Sequence, residues 1–358
     1  MYHQKEDGME KERSNKKRPV IRLVTAAFAA AIVLLAALQP AAGSLDAHAA
    51  EYTPFYRLDS NHPDSGLEKL KRVRLLTAGQ YELEPLSPGD LPGQPFQPSL
   101  KGLDSLRISG SPQYTERQFR ELAARIRACA GNDPVYIIDL RQESHFFVNG
   151  MPVSVYGHDN TANRGLGLAE VEADENARIA DIRNNGLTLY PYGSSGSKKK
   201  NGTKIENPVC MTERELAESE GFGYLRLPAT DHEWPTPDLI DEFIGFVSTL
   251  DTDHVWLHFH CLAGRGRTGV YMAIYDMMKN PDVSVEDISL RQAMAGSSYL
   301  LKYKDTDPDL RKVIRARNLR LMEVYIRENR GNGYQKKWSE WLAEQEANGL
   351  PAVQAGAA

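Results

Sequence analysis

Between positions 115 and 129 apolar residues fall at Phe119, Leu122 and Ile126, one face of a 3.6-residue period, and Thr115 with Gln118 three positions on has the form of a capping box. That pattern predicts an amphipathic helix. Residues 135–140 (VYIIDL) then form a short β-branched run typical of a buried strand, and Asn149-Gly150 between apolar flanks marks a hairpin turn. Further on, the pattern predicts a helix over 212–220, a strand over 223–227 and a helix over 239–250 burying Leu239, Phe243, Phe246, Val247 and Leu250. A strand over 255–259 and a helix over 269–278 follow. Helices alternating with buried strands predict an α/β core, and no internal repeat interrupts it.

Other stretches lack such periods. Residues 51–109 are rich in Pro and Gly, and PLSPGDLPGQPFQP cannot sustain a helix, so extended or irregular structure is expected there. The run GSSGSKKKNGTK at 193–204 reads as a flexible loop whose lysines sit on a solvated tip. At the N-terminus, seven basic residues within positions 1–22 precede an uncharged apolar stretch at 23–38 and the small-x-small run Ala47-His48-Ala49. This reads as a secretory signal peptide over 1–49, which places the mature chain in the periplasm or the medium. The alternative is an uncleaved anchor, for which sixteen apolar residues fall short of the roughly 20 that span a bilayer.

With 41% apolar and 25% charged residues in a chain of 358, the composition excludes a mostly disordered chain, a collagen-like repeat and a disulfide-dense miniprotein. The net charge of −5 becomes −7 once residues 1–49 are removed. No global basic field exists to draw in nucleic acid, so any anion site has to be local. Three cysteines leave at least one thiol unpaired in an oxidising compartment; Cys129 and Cys210 are either a bridge or two ordinary buried thiols.

Cys261 is set apart by its neighbours, His260-Cys261-Leu262-Ala263-Gly264-Arg265-Gly266-Arg267-Thr268, between a predicted strand and a predicted helix. Gly264 and Gly266 are expected to let the backbone bend so that successive N–H groups converge on a tetrahedral oxyanion, with the helix N-terminus adding its own. Arg267 supplies two further parallel donors, and the positive surroundings favour thiolate at Cys261. Cys-x5-Arg alone is a weak signal, but the full string between a strand and a helix is far rarer.

At these residues the sequence resembles the cysteine-dependent phosphatases of the protein tyrosine phosphatase superfamily, and more narrowly the bacterial tyrosine-phosphatase-like phytases. The narrower resemblance rests on DLRQESH at 139–145, NGMPVS at 149–154, ATDHEWPTP at 229–237, WLHFHC at 256–261, ENRGNGYQ at 328–335 and Trp338-Ser339. It covers most of 106–342. It implies a phosphatase core with a parallel-rich sheet flanked by helices, carried by 106–345, a small β-rich elaboration to which 50–105 contributes, and a flexible tail at 346–358. The implied activity is hydrolysis of phosphomonoesters of myo-inositol hexakisphosphate without cofactor or metal; no stable membrane association is implied once the signal is cleaved.

The resemblance also carries roles. Cys261 is the nucleophile, Asp231 the general acid on a loop stiffened by Pro235 and Pro237, Arg267 the phosphate clamp, and Thr268 steadies the thiolate. Leu262, Ala263, Gly264, Arg265 and Gly266 complete the phosphate loop. Glu143 is read as the acidic partner of the arginine-rich turn, and His260 as a core histidine that orders it. Around the pocket, His232 is either a phosphate contact or a surface histidine, and Arg57 is a further phosphate ligand. From Asp307-Pro308 a helix is expected to gather Arg311, Lys312 and Arg315 on one arc, opposite Leu310, Val313, Ile314, Leu321, Val324 and Tyr325. That arc is either a solvated face or, with Lys302 and Lys304, a site for the substrate's other phosphates. This chain departs from the family at Leu262, at Arg265 and at Asn160, where an aspartate is expected, and Lys198–Lys200 are candidates to replace family contacts. Two other readings fit the motifs: a secreted tyrosine or dual-specificity phosphatase, and a catalytically silent inositol-phosphate-binding module.

Overall fold

The strand that delivers Cys261 is the middle one of a five-stranded sheet. The structure, a computed structural model, describes residues 54–86, 97–157, 160–196, 198–302 and 309–350. The chain divides into two units, 1–51 and 52–358. The first, with the signal-peptide reading, lies outside the described residues, as do Lys304 and Asp307-Pro308. Among the described residues no helix is long and apolar enough to cross a membrane.

In chain order the strands are β1 Phe55–Leu58, β2 Arg74–Leu76, β3 Ile108–Ser111, β4 Val135–Asp139, β5 His145–Val148, β6 Met151–Tyr156, β7 Leu187–Leu189, β8 Thr203–Ile205, β9 Cys210–Met211, β10 Gly223–Arg226 and β11 Trp256–His260. The helices are α1 Glu116–Ala130, α2 Leu168–Asn185, α3 Glu213–Ser219, α4 Pro237–Ser248, α5 Gly266–Lys279, α6 Val285–Met294, α7 Leu310–Asn329 and α8 Trp338–Ala347. The central sheet runs β10-β4-β11-β3-β2, parallel except for β2. Because β4 and β11 alternate, Val135, Ile137 and Trp256 face a core built with α1 and α3, while Ile138, Leu257 and Phe259 face one built with α4, α5, α7 and α8.

Capping sets the helix starts. Thr115 and Thr212 each accept from a backbone N–H three residues on, and Gln118 and Glu215 reach back in reciprocal capping boxes. Asn149 and Gly150, both at positive φ, join β5 to β6 in the expected hairpin. These strands form the small antiparallel sheet β1-β6-β5-β9, the β-rich elaboration expected from the sequence.

Two expectations need correction. Residues 193–204 are not wholly a loop, since Thr203–Ile205 pairs with Leu187–Leu189. Helix α7 begins at Leu310 under an Asp309 cap, and its buried face is Ala316, Leu319, Met322, Tyr325 and Ile326, with Leu310 and Val324 exposed. Of the two readings of Cys129 and Cys210, the unbridged one holds, since both are free thiols. Helix α2 had no sequence reading at all, because its apolar residues Val171, Ile179 and Ile182 are too widely spaced to form a continuous stripe.

Candidate active site

The register of the central sheet assembles the site. Ser111, Asp139 and Arg226 are paired in line with His260, so β3, β4, β10 and β11 end together. The segments 112–113, 140–143, 227–231 and 261–267 therefore leave the sheet at one carboxyl edge, where parallel sheets place their ligands.

Cys261 is buried, and the Thr268 hydroxyl donates to its Sγ at 3.1 Å. The loop's carbonyls are taken from outside: Leu262 O by Gln113 N at 3.2 Å, Ala263 O by Arg72 Nε at 2.9 Å, Gly264 O by Arg74 Nη1 at 3.0 Å and Arg265 O by Ser298 N at 3.3 Å. In a trans peptide the next N–H points the opposite way, so the N–H groups of Ala263, Gly264 and Arg265 face the hollow of the loop. The unpaired N–H groups at the start of α5 join them. Gly264 is at φ +65°, and a Cβ there would lie 2.5 Å from Pro112 N, so glycine is required. Gly266 shows neither constraint, and the bend expected of both glycines rests on Gly264.

Arg267 is held in a fork. Its Nη1 and Nη2 donate to the two Glu143 oxygens at 2.7 and 3.0 Å, and Nη1 also reaches Leu140 O and Ala229 O. Arg141 Nε donates to the same carboxylate at 2.9 Å. Burial alone would raise the Glu143 carboxyl, but Arg267 and Arg141 override it and hold it far below the usual carboxylate range. Glu143 is fully buried, so it orients Arg267 and does not face substrate.

Asp231 lies on the open side of the same guanidinium, its Oδ1 3.3 Å from Arg267 Nε. Asn160 Nδ2 donates to Asp231 Oδ2 at 2.9 Å, and Arg57 Nη2 donates to Asn160 Oδ1 at 3.1 Å. Asn160 and Arg57 are buried, with Arg57 over the Tyr156 ring, so both meet the site through Asp231. His232 has φ +65°, and its side chain is more than half exposed.

The basic residues gather on one side. Arg265, Lys302, Lys312 and Arg315 line one open cavity of about 370 Å³ with Ser298 and Tyr299. Burial pushes the Arg315 guanidinium below its ordinary value, against Asp309 and with Arg311. Lys199 stacks over Phe55 at 4.5 Å and Lys200 donates to Tyr192 O, so this lysine run is anchored on the β1 side.

Behind the loop, Asp139, Glu213 and His260 place donor atoms within 4.8 Å of one another, all buried. Arg226 and His145 supply positive charge to this group, which is thereby a buried ion-pair cluster beneath His260. The Arg72 and Arg74 contacts had no signal in the sequence, since their partners lie about 190 residues away.

A buried cysteine thus sits in a loop of inward N–H groups, with an arginine and a carboxyl group facing it. The family model for protein-tyrosine-phosphatase-like phytases, described as "Inositol hexakisphosphate", matches residues 138–279. The myo-inositol phosphatase of this type from Mitsuokella multacida, in complex with myo-inositol-(1,3,4,5)-tetrakisphosphate, is 35% identical with a TM-score of 0.73, over 82% of this chain and 50% of that one. A phytase of the same type from Bdellovibrio bacteriovorus is 27% identical with a TM-score of 0.59, over 81% of this chain and 95% of that one. The effector protein HopD2 of Pseudomonas syringae pv. tomato is 30% identical over 71% of this chain and 55% of its own length. The chain thus spans about half the length of the Mitsuokella and Pseudomonas relatives.

Proposed function

We propose that this chain is an exported phosphatase that removes phosphates from myo-inositol hexakisphosphate and lower inositol phosphates through a cysteinyl-phosphate intermediate. The observation that carries the substrate class is the cavity beside the loop, where Arg265, Lys302, Lys312 and Arg315 converge. One phosphate in the loop leaves the others of a polyphosphate to meet this cluster, whereas a single phosphotyrosine offers no second anion. The ligand named for the Mitsuokella relative supports the same class. The N-terminal basic and apolar pattern with Ala47-His48-Ala49 supports export.

In the proposed cycle the Cys261 thiolate attacks phosphorus, held by the loop N–H groups and Arg267. Asp231 gives its proton to the departing inositol oxygen as the P–O bond breaks. A water then attacks the thiophosphate, loses its proton to Asp231, and releases Cys261 as thiolate with inorganic phosphate. Thr268 stabilises that thiolate in both halves.

The test compares kcat/KM for inositol hexakisphosphate, a phosphotyrosyl peptide and p-nitrophenyl phosphate with the purified chain. The proposal expects the inositol phosphate to lead. Equal or better turnover of the peptide would transfer the assignment to a protein phosphatase.

A further inference from the structure

Six arginines are buried among the described residues: Arg57, Arg74, Arg141, Arg226, Arg267 and Arg291. Five have a carboxylate within salt-bridge distance: Arg57 has Asp59, Arg141 has Asp59 and Glu143, Arg226 has Glu175, Arg267 has Glu143, and Arg291 has Asp276. Among the described residues no carboxylate pairs with Arg74. Its partners are Gly264 O at 3.0 Å, Arg72 O at 3.2 Å, Ser297 Oγ at 3.0 Å and the Met272 sulfur at 3.2 Å, and its Nε has none. Burial lowers this guanidinium to about 10, and the charge of Cys261 opposes that shift. A buried cation without a counter-charge is costly and is normally paired.

We propose that Arg74 is a positioning residue whose missing counter-ion is the anion of the phosphate loop, the Cys261 thiolate before the reaction and the phosphoryl group during it. It acts through Gly264. Holding that carbonyl outward turns the Arg265 N–H into the hollow, and the same guanidinium adds a second buried positive charge at the loop beside that of Arg267. Arg72 does the equivalent for Ala263, turning the Gly264 N–H inward, from the exposed side. The positive groups around Cys261 are then Arg72 and Arg74 from the β2 side, Arg265 in the loop and Arg267 at the head of α5, the last balanced by Glu143 and Asp231, with the Thr268 hydroxyl as a neutral donor. The edge strand β2, from a segment that reads as extended or irregular in sequence, thereby belongs to the catalytic apparatus.

This inference rests on the loop binding a phosphoryl group, not on which ester carries it. The probes are therefore p-nitrophenyl phosphate and vanadate, a mimic of the trigonal-bipyramidal transition state, with the full chain and its Arg74→Met, Arg74→Lys and Arg72→Met variants. For Arg74→Met the proposal expects kcat to fall about ten-fold or more and vanadate affinity to fall in step, in a protein that still unfolds cooperatively. Arg74→Lys, which keeps the charge, recovers part of both losses. Arg72→Met gives a smaller loss of the same kind, and its exposure keeps it readable if Arg74→Met fails to fold. Vanadate binding within two-fold of the parent in folded Arg74→Met and Arg72→Met would overturn the proposal, as would a loss of activity that only follows a lowered melting temperature.

Discussion

The Arg267 guanidinium joins Glu143 to Asp231: two amino nitrogens grip the buried carboxylate at 2.7 and 3.0 Å, and Nε stands 3.3 Å from Asp231 Oδ1. One cation thus registers Glu143 against Asp231, the residue proposed to protonate the leaving oxygen. Asn160, at 2.9 Å, fixes the other Asp231 oxygen.

Asp231→Asn keeps these contacts nearly isosteric and removes the proton. Its kcat on inositol hexakisphosphate should fall about 100-fold or more, because an alkoxide is a poor leaving group. On p-nitrophenyl phosphate, whose phenolate leaves unaided, the loss should be much smaller. Equal losses on both substrates would contradict general-acid catalysis.

Glu143→Gln removes the one carboxylate that Arg267 and Arg141 share in a fully buried position, leaving Asp59 to Arg141 and Asp231 to Arg267. Breaking such a pair from one side costs about 3 kcal/mol or more, so denaturant unfolding should show a loss of that order. Activity per folded molecule should fall as well, through the misplaced Arg267.

Lys312→Ala with Arg315→Ala should raise KM for inositol hexakisphosphate about ten-fold and leave KM for p-nitrophenyl phosphate unchanged, because only the polyphosphate reaches that cavity. Added salt should mimic the double variant on the first substrate. An equal effect on both substrates would place these residues elsewhere in the cycle.

His145 carries a pH signature. Burial would lower its imidazole, but Asp139, at 3.1 Å from Nε2, holds it up at about 9, and Nδ1 donates to Glu143 O at 2.8 Å. Below the ordinary histidine value of 6.5 the folded and unfolded chains both carry this proton and the contribution to stability is complete. Between there and about 9 only the folded chain keeps it, so stability should decline as pH rises through that window. Urea titrations across it check the slope, which His145→Gln should flatten.

Local rules made much of this fold legible. Thr115, Thr212, the Asn149-Gly150 turn and the run 135–140 act through neighbours a few residues away, and their elements form where the sequence places them. The string from His260 to Thr268 likewise announces its own geometry. What stayed hidden depends on distant partners. Strands β2 and β3 are short and exist because β11 pairs with β3, and β3 with β2. Arg74 matters because of Gly264, and Asn160 because of Asp231. Leu310 and Val324 fit the apolar arc of α7 yet are exposed, because what packs against a helix decides which of its apolar residues are covered.

The most direct test of the central claim is rapid-quench mass spectrometry of the chain during turnover of inositol hexakisphosphate, with Cys261→Ser beside it. The account predicts a transient phosphoryl group on the Cys261 peptide of the parent and, in Cys261→Ser, retained binding without phosphate release. Phosphate release by Cys261→Ser at the parental rate, or a phosphoryl group on another residue, would contradict it.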